Sequence, residues 1–183
     1  ALYAGISSYN SERTREAAII LERMGTPCLI HQPSYNMLNR WVEKDQLLNT
    51  LDDLGIGSIA FTPLAQGLLT DKYLNGIPSS SRASQDKSLD KKHINPKMLQ
   101  KLRSLDALAK KRGQTLAQMA IAWVLRESRV TTALIGASKP EQILSCVGAL
   151  DNLNFSQSEL VEIDNLSGEQ GINLWAASSE TID

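Results

Sequence analysis

The chain has 183 residues, 42% of them hydrophobic, and a formal net charge of −1 from 19 basic and 20 acidic side chains. This length and apolar fraction are typical of one folded domain with a sizeable core, and they exclude a disordered chain. Because the charges are balanced along the whole length, we expect no nucleic-acid partner and no membrane-surface partner.

The cysteines and the hydropathy of the sequence bear on disulfides, metal binding and membrane insertion. Cys28 and Cys146 are the only cysteines, and neither belongs to a CxxC motif or a histidine cluster. This spacing predicts reduced thiols and no metal site. No apolar run approaches the roughly 20 residues that span a bilayer, and the N-terminus lacks a signal-peptide pattern. We therefore expect a cytoplasmic protein.

Four short apolar segments alternate with helical patterns and are predicted to be strands. They are residues 2–6, 28–31, 58–61 and 131–135. Each runs into a small or polar turn and then a helix, which is the crossover that neighbouring parallel strands require. The predicted fold class is therefore α/β with a parallel sheet. An open doubly wound sheet and a (β/α)8 TIM barrel both satisfy this pattern.

The segments between the strands carry helix signals. Asn10 or Ser11 is predicted to begin the first helix, with Ala17, Ile20 and Leu21 on its apolar face. Later helices are predicted at about 45–54, 96–111 and 115–126, after Ser138 and after Leu150, with capping boxes at Thr115/Gln118 and Ser156/Glu159. A long polar loop precedes the helix at 96–111, and loops of that length are usually either functional or disordered.

The GASK turn after the fourth strand has the composition of an anion site. Gly136 lets backbone approach a ligand, and Ser138 is predicted to cap the next helix, with Glu141 reciprocating and Pro140 in its first turn. Free N–H groups at a helix start attract a phosphate, and Lys139 adds a charge suited to the 2′-phosphate of NADP. A well-capped helix after a buried strand has the same pattern.

The third strand ends in Phe61, and Pro63 and Gly67 then form a bend that frees backbone N–H groups. Phe61 offers a platform for a flat ring, but its local pattern favours a position in the core. Lys72 and Arg82, in the following loop, have the charge to clamp a pyrophosphate, but their local pattern favours solvated side chains.

Polar side chains also end the first two strands. Gln32 directly follows the second strand and offers the donor and acceptor that a carboxamide such as that of nicotinamide requires. Ser7 and Ser8 end the first strand in the same layer, either as ligand-binding hydroxyls or as ordinary turn residues. His31 has no nucleophile beside it and is interpreted as structural rather than as a general base. His93 is interpreted as solvent-exposed.

Five motifs taken together resemble the aldo-keto reductases over essentially all 183 residues. They are GISSYN from Gly5, IHQPSYNMLNRWVEK from Ile30, FTPLAQGLLTDKYLNGIP from Phe61, LIGASKPEQ from Leu134 and NLWAASS from Asn173. The branch that fits best contains the bacterial L-glyceraldehyde 3-phosphate reductases and the potassium-channel β subunits. The resemblance implies a TIM barrel of which residues 1–183 form about strands five to eight and the C-terminal extension.

By that resemblance, these turns bind NADPH in an extended pose. Ser7, Ser8 and Gln32 would hold the nicotinamide carboxamide, and Phe61 would stack on its ring. The remaining contacts would be Thr62, Pro63, Leu64, Ala65, Gly67, Lys72 and Arg82 at the pyrophosphate, and Gly136, Ser138, Lys139 and Gln142 at the adenosine 2′-phosphate. The chain departs from the family at Ser145-Cys146, where Glu-Asn is usual, and at Asp71, where Gly is usual.

The family's catalytic Asp, Tyr, Lys and His come from the first four barrel strands, so the resemblance implies that no catalytic residue lies in this chain. We expect the cofactor-binding half of an NADPH-dependent aldehyde or ketone reductase, inactive alone, whose complete barrel reduces L-glyceraldehyde 3-phosphate or a similar small aldehyde. The alternatives are a redox-sensing regulatory subunit like the channel β proteins and a non-catalytic half-barrel. Two open sheet edges also predict a homo-oligomer.

Overall fold

The computed structural model describes residues 2–76 and 94–167, which contain one four-stranded sheet. Its strands are β1 (Ala4–Ser7), β2 (Cys28–Gln32), β3 (Gly57–Phe61) and β4 (Thr132–Leu134). All neighbours are parallel and lie in the order β1-β2-β3-β4, which confirms the predicted α/β class. Sequential order has no point at which the strand order reverses, whereas a doubly wound sheet requires one.

Seven α-helices occur among the described residues. They are α1 (Ser11–Arg23), α2 (Trp41–Lys44), α3 (Leu47–Asp53), α4 (Pro96–Lys111), α5 (Leu116–Val124), α6 (Pro140–Val147) and α7 (Gln157–Leu166). The predicted caps are confirmed at three of them: Asn10 accepts from the backbone of α1, and Thr115 and Ser156 form capping boxes at α5 and α7. None of the described helices is both long and apolar enough to cross a bilayer.

The helix predicted at 45–54 was wrong at its beginning. Gln46 has a left-handed φ of +61°, and this residue separates α2 from α3. Asp45 does not belong to a helix; its carboxylate accepts a hydrogen bond from the backbone N–H of Ser11 at 2.7 Å. Asp45 therefore caps the start of α1 across the fold, a contact that its local sequence does not reveal.

Strand ends also differ from prediction. Leu2 and Tyr3 lie before β1 and are exposed, and β2 continues through Gln32, which is its last residue rather than the first residue after it. On α1, Leu21 packs against the core whereas Ile20 is 55% exposed, so the predicted apolar face is only partly covered by the described residues.

The sheet is covered unequally on its two faces. Along β3, Ser58 and Ala60 are buried, whereas Ile59 and Phe61 are partly exposed. This alternation has the period of two that a strand shows when one face packs against helices. Helix α1 contacts β2, and helix α3 contacts β3. The described residues therefore leave the face that carries Ile59 and Phe61 partly open.

Candidate functional site

The turns after β3 and β4 meet in one groove of about 1100 Å³. The two strands pair in parallel, with Phe61 opposite Leu134, so both turns leave the sheet at the same edge. Ligands of α/β proteins bind at this carboxyl edge. Eight of the predicted cofactor residues line the groove: Thr62, Pro63, Leu64, Gly67, Lys72, Gly136, Ser138 and Gln142.

The other predicted residues lie elsewhere. Ala65 is buried beneath the turn after β3, and Lys139 is exposed beside the groove without lining it. Ser7, Ser8, Gln32 and Phe61 are at the ends of β1, β2 and β3, outside the groove lining. Arg82, His93 and the NLW tail lie outside the described residues.

The ends of β1 and β2 form a second polar cluster. Ser7 is in register with Gln32, and its hydroxyl donates to the Gln32 carbonyl at 2.8 Å. The backbone N–H of Ser8 donates to the same carbonyl at 3.2 Å. Ser8 is buried and has a left-handed φ of +57°. The sequence prediction that these three residues belong to one layer is therefore confirmed by their contacts.

Backbone strain is concentrated in the turn after β3. Thr62, Ala65 and Gln66 have φ values of +56°, +47° and +60°, and Gly67 has +95°. Residues with a Cβ rarely adopt this conformation, and clusters of them occur mainly at functional sites. The turn is closed by Ala65 N–H donating to the Thr62 carbonyl at 2.9 Å. A defined, strained backbone therefore forms one wall of the groove.

The opposite wall is the beginning of α6. The side-chain oxygen of Gln142 accepts from the backbone N–H groups of Ser138 at 2.8 Å and Lys139 at 3.2 Å. The predicted cap was therefore wrong by one position. Lys139 rather than Ser138 is the N-cap, and Gln142 rather than Glu141 accepts from its backbone; Pro140 lies in the first turn, as predicted. The N–H groups expected to be free are occupied, so an anion there must compete with Gln142.

Charge in the groove is mixed. Lys72 is exposed and brings an ammonium group, while Asp71 and Glu141 bring carboxylates to the same lining. Cys146 also lines the groove, and burial raises the pKa of its thiol. Thr70 and Ala117 line the groove although neither was predicted to belong to the site. Ala117 lies on α5, far from any turn motif, so only the tertiary packing reveals it.

His31 is fully buried and is not arranged as a general base. Its Nε2 lies 3.1 Å from the Tyr9 carbonyl oxygen, a contact that requires the ring N–H to donate. Burial lowers the pKa of His31 to about 4, so the ring is neutral near pH 7. These contacts agree with the structural interpretation. Among the described residues, no three His, Cys, Asp or Glu side chains are grouped as a metal ion requires.

The chain is similar in sequence to proteins of a known family. The sequence profile of the Aldo/keto reductase family matches residues 1–167. The chain is 53% identical over 184 aligned residues to L-glyceraldehyde 3-phosphate reductase of Escherichia coli (strain K12), and 52% identical to that of Escherichia coli O157:H7. Each alignment covers 98% of this chain and 53% of the relative, so the chain spans about half the length of these curated relatives. The chain belongs to the aldo/keto reductase family.

Proposed function

We propose that this chain is the cofactor-binding half of an NADPH-dependent aldehyde reductase, whose substrate is L-glyceraldehyde 3-phosphate or a similar small aldehyde. The observation that carries the proposal is the single groove formed by the turns after β3 and β4, in a member of the aldo/keto reductase family. The free cysteines Cys28 and Cys146 suit a reducing compartment, and we propose the cytoplasm.

The residues of the groove fit a phosphorylated dinucleotide. A Cβ built on Gly136 meets no heavy atom within 4 Å, so the turn after β4 leaves open space for a ligand. The ammonium of Lys72 and the positive end of the α6 dipole offer positive charge to phosphates. The hydroxyl and the backbone N–H of Ser138 donate to Gln142, so a phosphate would replace Gln142 as their acceptor. The volume is at the upper end of small-molecule sites, as an extended cofactor requires.

These residues would bind and orient the cofactor, and bound NADPH would supply the hydride. The strained turn at residues 62–67 and the beginning of α6 would hold its phosphates from opposite walls of the groove. Ser7, Ser8 and Gln32 lie at the neighbouring strand ends, where their amide and hydroxyl groups would hold the carboxamide of the nicotinamide. Phe61 is partly exposed at the same sheet edge and would stack on the ring.

Reduction of an aldehyde also requires a proton donor for the carbonyl oxygen of the substrate. This donor would come from outside this chain. By the family resemblance, none of the four tyrosines matches the catalytic tyrosine, which comes from the first four barrel strands. Tyr35 is buried, donates to Glu43 and accepts from Arg126, and burial raises its pKa. Tyr73 is also fully buried. We therefore propose that the chain alone does not turn over substrate.

The partly open face of the sheet supports a complete barrel. Purely parallel sheets occur almost only with both faces covered. In a (β/α)8 barrel, closure covers the face opposite the helices and removes the edges at β1 and β4. The chain matches only about half the length of its relatives, which leaves room for further strands in a complete protein.

The test compares the natural gene product that contains this chain with the 183-residue chain expressed by itself. We expect the natural product to oxidise NADPH when glyceraldehyde 3-phosphate is added, and the isolated chain to show no turnover. NADH and a substrate-free reaction are the controls. A natural product that neither binds NADPH nor reduces any small aldehyde would refute the proposal.

A further inference from the structure

Thr62, the first residue after β3, has a backbone conformation that its side chain disfavours. Its φ is +56°, and a β-branched residue in the left-handed region is a genuine outlier. Such a residue persists only where the surrounding structure holds it. Thr62 also lines the groove between the turns after β3 and β4. The contacts that hold it therefore bear on the groove's shape.

A directional chain of hydrogen bonds reaches the Thr62 hydroxyl. That hydroxyl donates its one proton to the Phe61 carbonyl at 2.7 Å. The Ser34 hydroxyl, 2.8 Å from Thr62 Oγ1, must therefore be the donor between them. Asn39 Nδ2 in turn donates to Ser34 Oγ at 3.1 Å, and Trp41 Nε1 donates to the Ser34 carbonyl at 2.8 Å. Each hydrogen bond in this series therefore fixes the orientation of the next donor.

Asn36 holds the backbone of the same residue. Its Nδ2 donates to the Thr62 carbonyl at 2.9 Å, and its Oδ1 accepts from the Leu38 N–H at 2.9 Å. The Thr62 carbonyl also accepts from the Ala65 N–H at 2.9 Å, the first hydrogen bond of the strained turn. Asn36 and Ala65 thus share one acceptor, so a displacement of Thr62 is transmitted to the turn that follows.

We propose that Ser34, Asn36 and Asn39, here called the Thr62 clamp, are positioning residues for the nucleotide groove. All three are buried to 3% exposure or less, and none lines the groove. The clamp belongs to the segment after β2, yet it fixes the turn after β3. It holds Thr62 in its left-handed conformation, and through the Thr62 carbonyl it fixes residues 62–67 for the phosphates of a dinucleotide. This inference rests on the proposed function for its ligand.

The main test is Asn36→Asp in the natural gene product. The carboxylate still accepts from Leu38, but it loses the donor to Thr62 and repels the Thr62 carbonyl. We expect the dissociation constant for NADPH to rise about tenfold, as loss of one buried hydrogen bond implies. We also expect faster hydrogen–deuterium exchange at the amides of residues 65–69, with exchange in α4 and α5 unchanged. Asn165→Asp, on the exposed surface of α7, is the matched control.

Two further variants separate positioning from general stability. Ser34→Ala removes the hydroxyl that donates to Thr62 and accepts from Asn39, and about a threefold loss of affinity is expected. Thr62→Gly adopts the left-handed conformation freely, so the clamp has less to hold. In the Thr62→Gly background, Asn36→Asp is therefore expected to change affinity and exchange less than it does in the unaltered protein.

Unchanged exchange at residues 65–69 together with unchanged NADPH affinity in a folded Asn36→Asp protein would overturn the inference. Equal effects of Asn36→Asp in both Thr62 backgrounds would overturn the claim that the clamp holds the left-handed conformation, because glycine keeps the carbonyl that Asn36 contacts but adopts that conformation without being held. If the unaltered protein does not bind NADPH, the proposed function fails instead. The exchange comparison then still decides whether the clamp holds the turn.

Discussion

At the scale of single residues, His31 shows what burial does to a titratable group. The ring is fully buried, and its Nε2–H donates to the Tyr9 carbonyl. Its Nδ1 is buried without a hydrogen-bond partner among the described residues. Protonation would place a charge in an environment that offers no second acceptor, which explains the direction of its pKa shift to about 4.

This shift predicts a pH-dependent stability. The unfolded ring binds its proton near pH 6.5, whereas the folded ring binds it only near pH 4, so protons favour the unfolded state between these values. The free energy of unfolding should be constant above about pH 6.5 and fall by about 3 kcal/mol by pH 4 through this residue alone. Stability is thus lost as the pH falls, not as it rises.

Chemical denaturation of the wild type and of His31→Gln between pH 4 and 7 measures this effect. Glutamine retains a donor for the Tyr9 carbonyl and does not titrate. Titration of the carboxylates changes the stability of both proteins alike. The difference between their slopes of unfolding free energy against pH therefore reports His31 alone. Equal slopes for the two proteins would show that the folded ring titrates normally.

At the scale of elements, the beginning of α6 decides how an anion meets the groove. The side-chain oxygen of Gln142 accepts from the backbone N–H groups of Ser138 and Lys139. Local spacing predicted a helix start with Pro140 in its first turn, and this was confirmed. The prediction that Glu141 closes the cap was wrong, because glutamate and glutamine both serve in a capping box and only the backbone geometry selects Gln142.

Gln142→Glu should separate helix capping from phosphate binding. A carboxylate still accepts from both N–H groups and interacts favourably with the helix N-terminus, so thermal stability should not decrease. Its charge lies where the 2′-phosphate is proposed to bind, and NADPH affinity should fall about tenfold. Affinity for NADH, which lacks that phosphate, should change less.

Equilibrium titration with both cofactors, in the natural gene product, checks this prediction. Gln157→Glu, at the exposed first position of α7, is the matched control because it adds the same charge to another helix start. Parallel losses of NADPH and NADH affinity would place the 2′-phosphate away from Gln142.

At the scale of the whole molecule, apolar surface is exposed on both flanks of the described structure. Ile20 on α1 and Met24, which directly follows α1, are 55% and 73% exposed, and Leu144 on α6 is 73% exposed. No residue of α6 is buried. Large apolar side chains that are exposed on neighbouring turns of a helix are typical of surfaces where further protein packs. This exposure agrees with a sheet that continues beyond β1 and β4 in a complete barrel.

We expect the 183-residue chain, expressed by itself, to self-associate and to bind a hydrophobic dye. Sedimentation velocity should show species larger than a monomer, and Ile20→Lys combined with Leu144→Lys should reduce them, since charges oppose burial of both flanks. The natural gene product should show neither property. A monomeric isolated chain that leaves the dye unbound would contradict the prediction.

Local patterns in the sequence predicted the order of the strands, most of the helices, three of the helix caps and the motifs of the family. These features depend on residues a few positions apart, so local pattern suffices for them. Which turns share a groove, the cap that Asp45 provides to α1 and the contact of Asn36 with Thr62 became visible only in the three-dimensional structure. Asn36 and Thr62 are 26 residues apart, and Asp45 and Ser11 are 34 apart. Contacts at such separations follow from the packing of whole elements against one another, and no local pattern encodes them.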